Sequence, residues 1–403
     1  MKPSRILNFL ALKPGIVASL AMAILVGMGE RMAERFLPIY VIALGGTPII
    51  IGLLNGMDNL LSALYSFPGG WLSDRLGYKR ALLLFNLLAI AGFALVVLVP
   101  AQWAVIAGSA LFLSWSAISL PATMSLVADV LPKNKRGMGV TMHSLVRRIP
   151  MALGPLAGGF FITAFGTIRG VRYAFVAAIC FAVLALVIQQ LYISAPPARN
   201  KSDGHFRIRF PVQLRHLLVS DILIRFCEQI PYAFVVVWVV ENQGLKASQF
   251  GILTAIEMVT AMLIYIPVSW LADHSTRKPW IAITFINFTL FPLVLSVSTT
   301  FTALVFAFIL RGLKEFGEPT RKALILDLAP DNAKASAFGT YYLIRDVIVS
   351  LAAFGGAFLW QRSPRLNFYM AACFGVLGTA YFIINVRNRP QEDAAPARTG
   401  NQA

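Results

Sequence analysis

Long apolar runs separated by short polar and charged segments fill almost the whole chain. A helix that crosses the hydrocarbon core of a bilayer needs about 20 consecutive, mostly apolar residues. Twelve runs meet this requirement, and we number them spans 1 to 12 in chain order. The pattern therefore predicts an all-α membrane protein with twelve transmembrane helices. Their predicted bounds are 16–44, 48–72, 81–99, 102–131, 138–165, 173–194, 216–242, 247–272, 279–298, 301–329, 336–361 and 365–387.

The second half of the chain repeats the first. Two long matches at nearly one shift indicate a duplicated unit, and therefore two pseudo-symmetric six-helix bundles. We predict an N-terminal bundle at 1–194, a cytoplasmic linker at 195–215, a C-terminal bundle at 216–389 and a disordered cytoplasmic tail at 390–403. The matched positions include Asp58 with Glu257 and Trp71 with Trp270 at a shift of 199 residues, and Arg147 with Arg345 and Gly158 with Gly356 at a shift of 198.

Composition and the placement of basic residues indicate where the chain resides. It is 58% apolar and only 13% charged, whereas soluble domains are about 25% charged. The net charge of +17 comes largely from basic residues in short loops, which is typical of topology signals rather than of a nucleic-acid surface. Loops on one side carry 20 of these residues, against 5 on the other. Both termini are therefore predicted to be cytoplasmic, in a cytoplasmic (inner) membrane.

The turn after span 2 carries a recognisable motif. The stretch reads Gly70-Trp-Leu-Ser-Asp74-Arg75-Leu-Gly77-Tyr-Lys79-Arg80. It resembles the loop signature of the major facilitator superfamily, which has Gly, three residues, Asp-Arg, one residue, Gly and then basic residues. The resemblance implies two bundles that rock about a central cavity, with spans 3, 6, 9 and 12 facing lipid. It also implies that Asp74 holds a cytoplasmic gate against a helix N-terminus and that Arg75 anchors nearby.

When the first two and last two positions of each span are set aside, the spans contain 21 Lys, Arg, Asp and Glu residues, 10 basic and 11 acidic, and none of them lies in spans 3, 6, 9 or 12. A charge at the bilayer centre costs about 2.5–3.5 kcal/mol on the mildest scale, so these groups are expected to face each other or water. The distribution agrees with four lipid-facing spans. The other eight spans are expected to enclose or flank the cavity.

Span 10 is unusually rich in such charges, which recur with helical spacing and predict one charged face. We interpret this face as a cavity wall that binds a charged or zwitterionic substrate, so that the cavity's charge is concentrated on the second half. The alternative is a self-neutralised stripe that packs against span 11, which we favour for Arg321, Lys322 and Asp327. The pairs predicted along the helix are Arg311–Glu315, Lys314–Glu318 and Glu318–Lys322.

Spans 1 and 7 also bring acids and bases to mid-membrane, where transporters of this kind hold substrate. Salt bridges that only close the cavity are the alternative, and a bridge that breaks and reforms would serve both purposes. For the duplicated acids of spans 2 and 8, a structural hydrogen bond is the alternative. The predicted cavity residues are Glu30, Arg31, Glu34, Arg225, Glu228, Arg311, Lys314 and Glu315. The predicted gating or coupling residues are Asp58, Asp74, Arg75, Arg147, Glu257, Arg345 and Asp346.

Span 5 contains Gly154-Pro155-Leu-Ala-Gly158-Gly159, which resembles the end of the superfamily's antiporter signature. Small residues in this position predict a close approach between helices. The sequence contains no phosphate-binding loop, metal cluster or nucleophile–base arrangement. We therefore predict neither an ATP-driven pump nor an enzyme.

Together these observations predict a secondary active transporter that works by alternating access. The favoured function is proton-coupled export, by antiport, of a small organic solute or drug-like molecule. The alternatives are proton-coupled uptake of an organic anion or zwitterion, and a transporter-like receptor or assembly factor that moves nothing. The expected partners are a small-molecule substrate and the lipid bilayer, with no nucleic acid. The protein is predicted to be a monomer that needs no cofactor and uses the proton gradient as its energy source. Glu315, near Arg311, and Glu30, beside Arg31, are the predicted proton carriers.

Overall fold

The computed structural model describes residues 14–112, 146–193, 210–273, 276–330 and 334–386. Regular structure in these residues is helical throughout. By length and apolar composition, eight of the helices in these ranges are able to cross a membrane. The prediction of an all-α membrane fold is confirmed. The boundaries of the two bundles, the linker and the tail stay predictions, since most of 195–215 and all of 390–403 lie outside the described residues.

Within the described residues, each span contains one helix or a series of two or three helical segments. In the first half the helices are Pro14–Glu34 and Leu37–Ala43 (span 1), Pro48–Leu76 (span 2), Tyr78–Leu98 (span 3), Gln102–Phe112 (span 4), Arg148–Phe165 (span 5) and Thr167–Tyr192 (span 6). In the second half they are Val212–Tyr232, Phe234–Val237 and the π-helical turn Trp238–Asn242 (span 7), Ala247–Asp273 (span 8), Arg277–Val297 (span 9), Phe301–Leu313 and Glu318–Leu328 (span 10), Lys334–Arg362 (span 11) and Pro364–Asn385 (span 12).

The helix of span 6 begins earlier than the apolar pattern predicts, at Thr167 instead of residue 173. Arg172, predicted to lie in a loop, is therefore part of the helix, and its Nε donates a hydrogen bond to the carbonyl oxygen of Val97 at 2.9 Å. A long basic side chain can keep its charged end at the membrane surface while its stem covers apolar surface. The helix can thus extend beyond the apolar run that marks its membrane-embedded part.

In the described part of the chain, interruptions near the middle of a span occur in span 1 at residues 35–36, in span 7 at residue 233 and in span 10 at residues 314–317. A proline lies two residues from each interruption. Proline has no N–H for the helical hydrogen-bond ladder, so it favours a break or a new helix start. At the shift of 198 residues Arg35 corresponds to Ala233, so the breaks in spans 1 and 7 are one feature present in both copies.

The two halves meet along spans 5 and 8 and along spans 2 and 11. We call the side that holds the start of span 1 and the end of span 12 the terminal side, and the opposite side the far side. A Cβ added at Gly159 would lie 2.5 Å from the carbonyl oxygen of Ala247, and one at Gly251 would lie 2.5 Å from that of Pro155. These backbones touch toward the far side, so the halves are closed against each other there.

Glycine also permits close packing within each half. A Cβ at Gly158 would lie 1.9 Å from the carbonyl oxygen of Met32, and one at Gly356 would lie 2.3 Å from that of Ile230. The two glycines are repeat-related, as are the span pairs that they join. The close helix approach predicted from the small residues of span 5 is therefore confirmed, and it recurs in the second half.

Spans 3, 6, 9 and 12 present large apolar side chains outward. One residue from each shows this: Leu87 is 49% exposed, Leu191 71%, Val297 72% and Ile384 76%. Such exposure in a chain of this composition fits contact with lipid rather than water. By contrast, Glu30, Glu257 and Arg321 of the other spans are at most 3% exposed.

Candidate functional site

A cavity of about 50 Å³ lies between the two halves, beside the breaks in spans 1 and 7. Ordinary ligand pockets measure about 300–1,000 Å³, so the halves must separate before an organic solute fits. Discontinuous helices are where secondary transporters form their binding sites. The residues that line the cavity are Glu34, Arg35, Leu37, Pro38, Ile51, Leu54, Asn55, Asp58, Tyr232, Ala233, Val236, Phe250 and Arg311.

The first-half wall of the cavity combines a paired acid with an unpaired cation. Arg31 Nη1 lies 2.6 Å from Glu34 Oε2, and Arg31 Nη2 lies 3.8 Å from Glu30 Oε1. Arg35 has no carboxylate within 4.0 Å among the described residues, and its guanidinium lies over the ring of Tyr232, 4.8 Å from the centroid. The break in span 1 brings Arg35 into the wall.

Asp58 lines the same cavity from span 2. Its carboxylate has neither a hydrogen bond nor a cation within 4.0 Å among the described residues. A charged carboxylate away from bulk water is costly when no partner compensates it, and protonation removes that charge. Asp58 is therefore an acid whose protonation state is free to change without the loss of an ion pair.

The second half holds its charges in a continuous series of ion pairs, which we call the charge ladder. The ladder begins at the cavity, where Arg311 Nε lies 3.3 Å from Glu257 Oε1, and Lys314 Nζ lies 3.7 Å from the same oxygen. Its members in order are Arg311, Glu257, Lys314, Glu228, Arg225, Glu318, Arg321, Asp221, Arg345 and Asp346.

The middle of the ladder joins spans 7 and 10. Glu228 accepts from Lys314 at 2.6 Å and from Arg225 at 2.5 Å. Arg225 Nη2 in turn lies 3.5 Å from Glu318 Oε2, and Arg321 Nη2 lies 2.7 Å from that oxygen. Buried ions are stable only when their partners satisfy them, and here each acid contacts at least one cation.

The terminal-side part of the ladder surrounds Asp221 of span 7. This carboxylate pairs with Arg321, accepts a hydrogen bond from the hydroxyl of Tyr341 at 3.1 Å and lies 3.5 Å from Arg345 Nη1. Arg345 also lies 2.7 Å from Asp346. The ladder thus links five acids and five cations of spans 7, 8, 10 and 11 into one unit, and Lys322 adds a sixth cation through Glu318.

Two of the three pairs predicted along span 10 are wrong. Arg311 pairs with Glu257 of span 8, and Lys314 pairs with Glu228 of span 7. Only Glu318–Lys322 is present, at 3.5 Å. The physical reason is the turn at residues 314–317, which removes the four-residue helical spacing on which the prediction relied. A single continuous charged face does not exist in span 10.

Glu315 points toward the first half instead of along its own span. Its Oε2 lies 3.3 Å from Arg148 Nη2 of span 5, so this pair joins the two halves. Sequence reasoning noticed neither this pairing nor a role for Arg148. No periodicity signal could have found it, because the contact depends on how the two bundles are docked.

The polarity predicted for the cavity is also wrong. Of its four charged lining residues, Glu34, Arg35 and Asp58 belong to the first half and only Arg311 to the second. The described spans of the second half do contain more charged residues, but most of these side chains pair with one another in the charge ladder instead of lining the cavity. Tyr232 was missed as well, although its alignment with Glu34 at a shift of 198 residues is a signal that the sequence contains.

The remaining predicted residues fall into three groups. Asp74 and Arg75 lie outside the described side chains. Arg147 has no carboxylate within 4.0 Å among the described residues, while its repeat partner Arg345 belongs to the ladder. The stripe predicted for Arg321, Lys322 and Asp327 is neutralised only in part within span 10. Glu318 of that span pairs with Arg321 and Lys322, but Arg321 also pairs with Asp221 of span 7, and Asp327 pairs with Arg277 of span 9.

Known proteins match the chain over most of its length. The family described as Major Facilitator Superfamily matches residues 19–227 and again residues 217–402. An uncharacterized MFS-type transporter of Methanocaldococcus jannaschii is 21% identical over 368 residues, covering 87% of this chain and 89% of that protein. The multidrug resistance protein MdtG of Escherichia fergusonii is 27% identical over 277 residues, covering 65% of this chain and 67% of MdtG.

A solved structure shows the same fold. The peptide transporter POT superposes with a TM-score of 0.76 at 14% sequence identity, covering 92% of this chain and 93% of that chain. At this identity the likeness concerns the fold alone. The family match in both halves, together with the helical architecture and the cavity between the halves, makes this chain a member of the major facilitator superfamily and hence an integral membrane transporter.

Proposed function

We propose that the protein exports a small organic solute or drug-like molecule by proton antiport, with Asp58 as the group that takes up and releases the proton. The observation that carries this proposal is the carboxylate of Asp58, which lines the central cavity without an ion pair or hydrogen bond among the described residues. The similarity to a multidrug resistance protein supports export as the direction. The energy source is the proton gradient, and no cofactor takes part.

This proposal moves the proton from the residues that the sequence favoured. Glu315 is engaged by Arg148 across the interface, and Glu30 lies near Arg31. Asp58 loses no such partner when it is protonated. In an antiporter, proton binding to an acid and substrate binding must influence each other, which is simplest when both occur in one cavity. Asp58 lines the same cavity as the polar groups that would contact a solute.

Alternating access supplies the movement. The backbones of spans 5 and 8 touch toward the far side, which supports a conformation closed on that side. Separation of the halves there would widen the cavity and expose Asp58 to the opposite solution. If both termini are cytoplasmic, as the basic loops predict, the far side is the outer side of the cytoplasmic membrane.

The test uses full-length protein in liposomes that contain a pH-sensitive dye. Addition of a transported solute from a panel of drugs and metabolites should move protons through the wild-type protein, in the direction opposite to the solute. Asp58→Asn should abolish solute-driven proton movement and gradient-driven accumulation. Exchange of labelled for unlabelled solute should persist, because exchange needs no net proton movement.

The control is Asp327→Asn, which removes a surface carboxylate paired with Arg277 outside the cavity. It should keep both activities. If Asp58→Asn still accumulates solute while Glu315→Gln or Glu30→Gln does not, the proton carrier is one of the acids that the sequence favoured and our assignment to Asp58 is wrong.

The second candidate function is proton-coupled uptake of an organic anion or zwitterion. The placement of both Arg35 and Asp58 at one cavity favours it, since the pair offers an anion site and a cation site. In the liposome assay uptake would move protons and solute in the same direction. A receptor or assembly factor would bind solute and show neither proton movement nor exchange.

A further inference from the structure

Arg35 is the one cation of the cavity wall that has no acidic partner in the described structure. Ten basic residues lie away from the ends of the spans, and eight of them have a carboxylate within 4.0 Å among the described residues. The two without such a partner are Arg35 and Arg147, and only Arg35 lines the cavity. Its sole contact of note is with the ring face of Tyr232, at 4.8 Å from the centroid.

A ring face compensates a buried guanidinium only in part. Cation–π contacts are weaker than charge-assisted hydrogen bonds to an anion, and a desolvated cation without an anion is costly. A transporter can retain such a group when a ligand supplies the missing charge. The planar guanidinium, with its parallel N–H donors, suits a carboxylate or phosphonate group.

The acids around Arg35 are already engaged or lie out of its reach. Glu34 is held by Arg31 at 2.6 Å, and Glu257 is held by Arg311 at 3.3 Å. Asp58 faces the same cavity but does not come within 4.0 Å of Arg35. Among the described residues, no carboxylate therefore forms an ion pair with Arg35 in this conformation.

We propose that Arg35 binds an anionic group of the transported solute, so that the substrate is an organic acid or a zwitterion and not a neutral or purely cationic molecule. This inference rests on the proposed transport function and names the substrate class of the same cavity. Tyr232 and Phe250 give the cavity aromatic surface for the apolar body of such a solute. In a zwitterion, the amine would face Asp58.

The experiment measures binding to full-length protein in detergent, without any gradient. The probes are carboxylic acids and their methyl esters, which differ only in the anionic group: phenylalanine, alanyl-phenylalanine and indole-3-acetate, each with its ester. Binding is followed as ligand-dependent thermal stabilisation of wild-type protein and of Arg35→Gln, Arg35→Lys and Arg172→Gln. Arg172 is an arginine of the same half that lies outside the cavity and donates to a backbone carbonyl.

We expect at least one acid to bind wild-type protein about 10- to 100-fold more tightly than its ester, the range for hydrogen bonds to a charged group. Arg35→Gln should bind acid and ester equally, Arg35→Lys should keep part of the preference, and Arg172→Gln should keep all of it. Without ligand, Arg35→Gln should melt no lower than wild type, because it loses no ion pair.

Three results would overturn the inference: equal binding of acids and esters by wild-type protein, a full acid preference in Arg35→Gln, or no binding by any acid of the panel. The result is separable from the test of proton coupling, since binding needs no gradient. Loss of acid preference would leave the Asp58→Asn liposome result unchanged, and a failure of proton coupling would leave the acid preference unchanged.

Discussion

The two copies of the repeat place an acid at the same position and surround it in opposite ways. Asp58 lines the cavity and has no ion pair among the described residues. Glu257, its match at a shift of 199 residues, is 1% exposed and lies between Arg311 and Lys314. One duplicated backbone therefore carries an unneutralised acid in the first half and a neutralised one in the second.

Other matched positions follow the same rule. Arg147 has no acid within 4.0 Å in the described part of the chain, whereas Arg345 contacts Asp346 and Asp221. At the breaks, Arg35 corresponds to Ala233. In the second half, most charged side chains of the described spans pair with one another in the charge ladder. In the first half, Asp58 and Arg35 line the cavity without an ion pair among the described residues, so they can interact with a proton or a substrate.

The largest expected effect is the difference in the free energy of unfolding between variants that remove Glu257 or its match Asp58. Glu257→Gln leaves Arg311 buried without its acid, and loss of one partner from a buried ion pair costs about 3–5 kcal/mol. Asp58→Asn removes no pair and should leave the free energy of unfolding unchanged or slightly higher. Unfolding of both variants in mixed detergent and SDS would measure the difference. Equal losses in the two variants would contradict the contrast between the halves.

The fold was predictable from the sequence because it depends on patterns that are local or repeated. A bilayer requires every backbone polar group to be hydrogen-bonded within the chain, which favours long apolar helices and spans without charge. The duplicated positions reveal the repeat of six helices directly in the sequence. Gly158 illustrates this: a small residue in a span predicts close approach, and Met32 is found against it.

The site was predictable only in part, because pairing between helices depends on breaks and docking that periodicity does not encode. The sequence pattern predicts one continuous helix for span 10, with ion pairs four residues apart, whereas the turn after Leu313 brings Lys314 to Glu228. Many of the acids and bases that the sequence places in the spans do pair with each other in the described structure. Which of them remained open to the cavity, above all Arg35, required the structure.

The next prediction concerns the close helix packing that the two halves share at Gly356 and Gly158. Gly356→Ala would place a Cβ 2.3 Å from the carbonyl oxygen of Ile230, where Asn367 also donates a hydrogen bond at 3.2 Å. Overpacking of this kind costs about 1–3 kcal/mol. Gly158→Ala should cost at least as much, since its contact is closer. Thermal melts of the purified variants provide the measurement.

The matched control for this prediction is Gly355→Ala, one residue earlier, where nothing lies within 4 Å of an added Cβ. Alanine has the higher helix propensity, so this variant should be neutral or more stable by up to about 1 kcal/mol. Comparable destabilisation by Gly355→Ala and Gly356→Ala would mean that helix packing at Ile230 does not limit stability.

A smaller effect is expected where the halves meet through charge. The Arg148–Glu315 pair is partly exposed and so contributes about 1 kcal/mol at most, which is about a 5-fold change in a conformational equilibrium. Glu315→Gln should raise the rate at which a cysteine at Leu54, in the cavity wall, reacts with an aqueous thiol reagent. The exchange Arg148→Glu with Glu315→Arg should restore the slower rate. Native cysteines Cys180, Cys227 and Cys373 are first replaced.

The corresponding control lies within one half. Asp327→Asn breaks the surface pair with Arg277, which joins spans 9 and 10 and does not cross between the halves. It should leave the labelling rate at Leu54→Cys unchanged. If it raises the rate as much as Glu315→Gln does, the cross-half pair has no special role in holding the cavity closed.

The smallest effect concerns a feature that both halves share. Lys79 Nζ donates to the carbonyl oxygen of Gln190 at 2.9 Å, and its repeat match Lys278 donates to that of Ile383 at 2.6 Å. Each carbonyl lies two residues before the end of its helix, where a cation compensates free carbonyls and the helix dipole. Lys79→Met and Lys278→Met should therefore each cost about 0.3–1 kcal/mol of unfolding free energy. Because the sites lie in different halves, the double variant should show the sum. A loss confined to one lysine would show that even the surface contacts of the two copies have diverged.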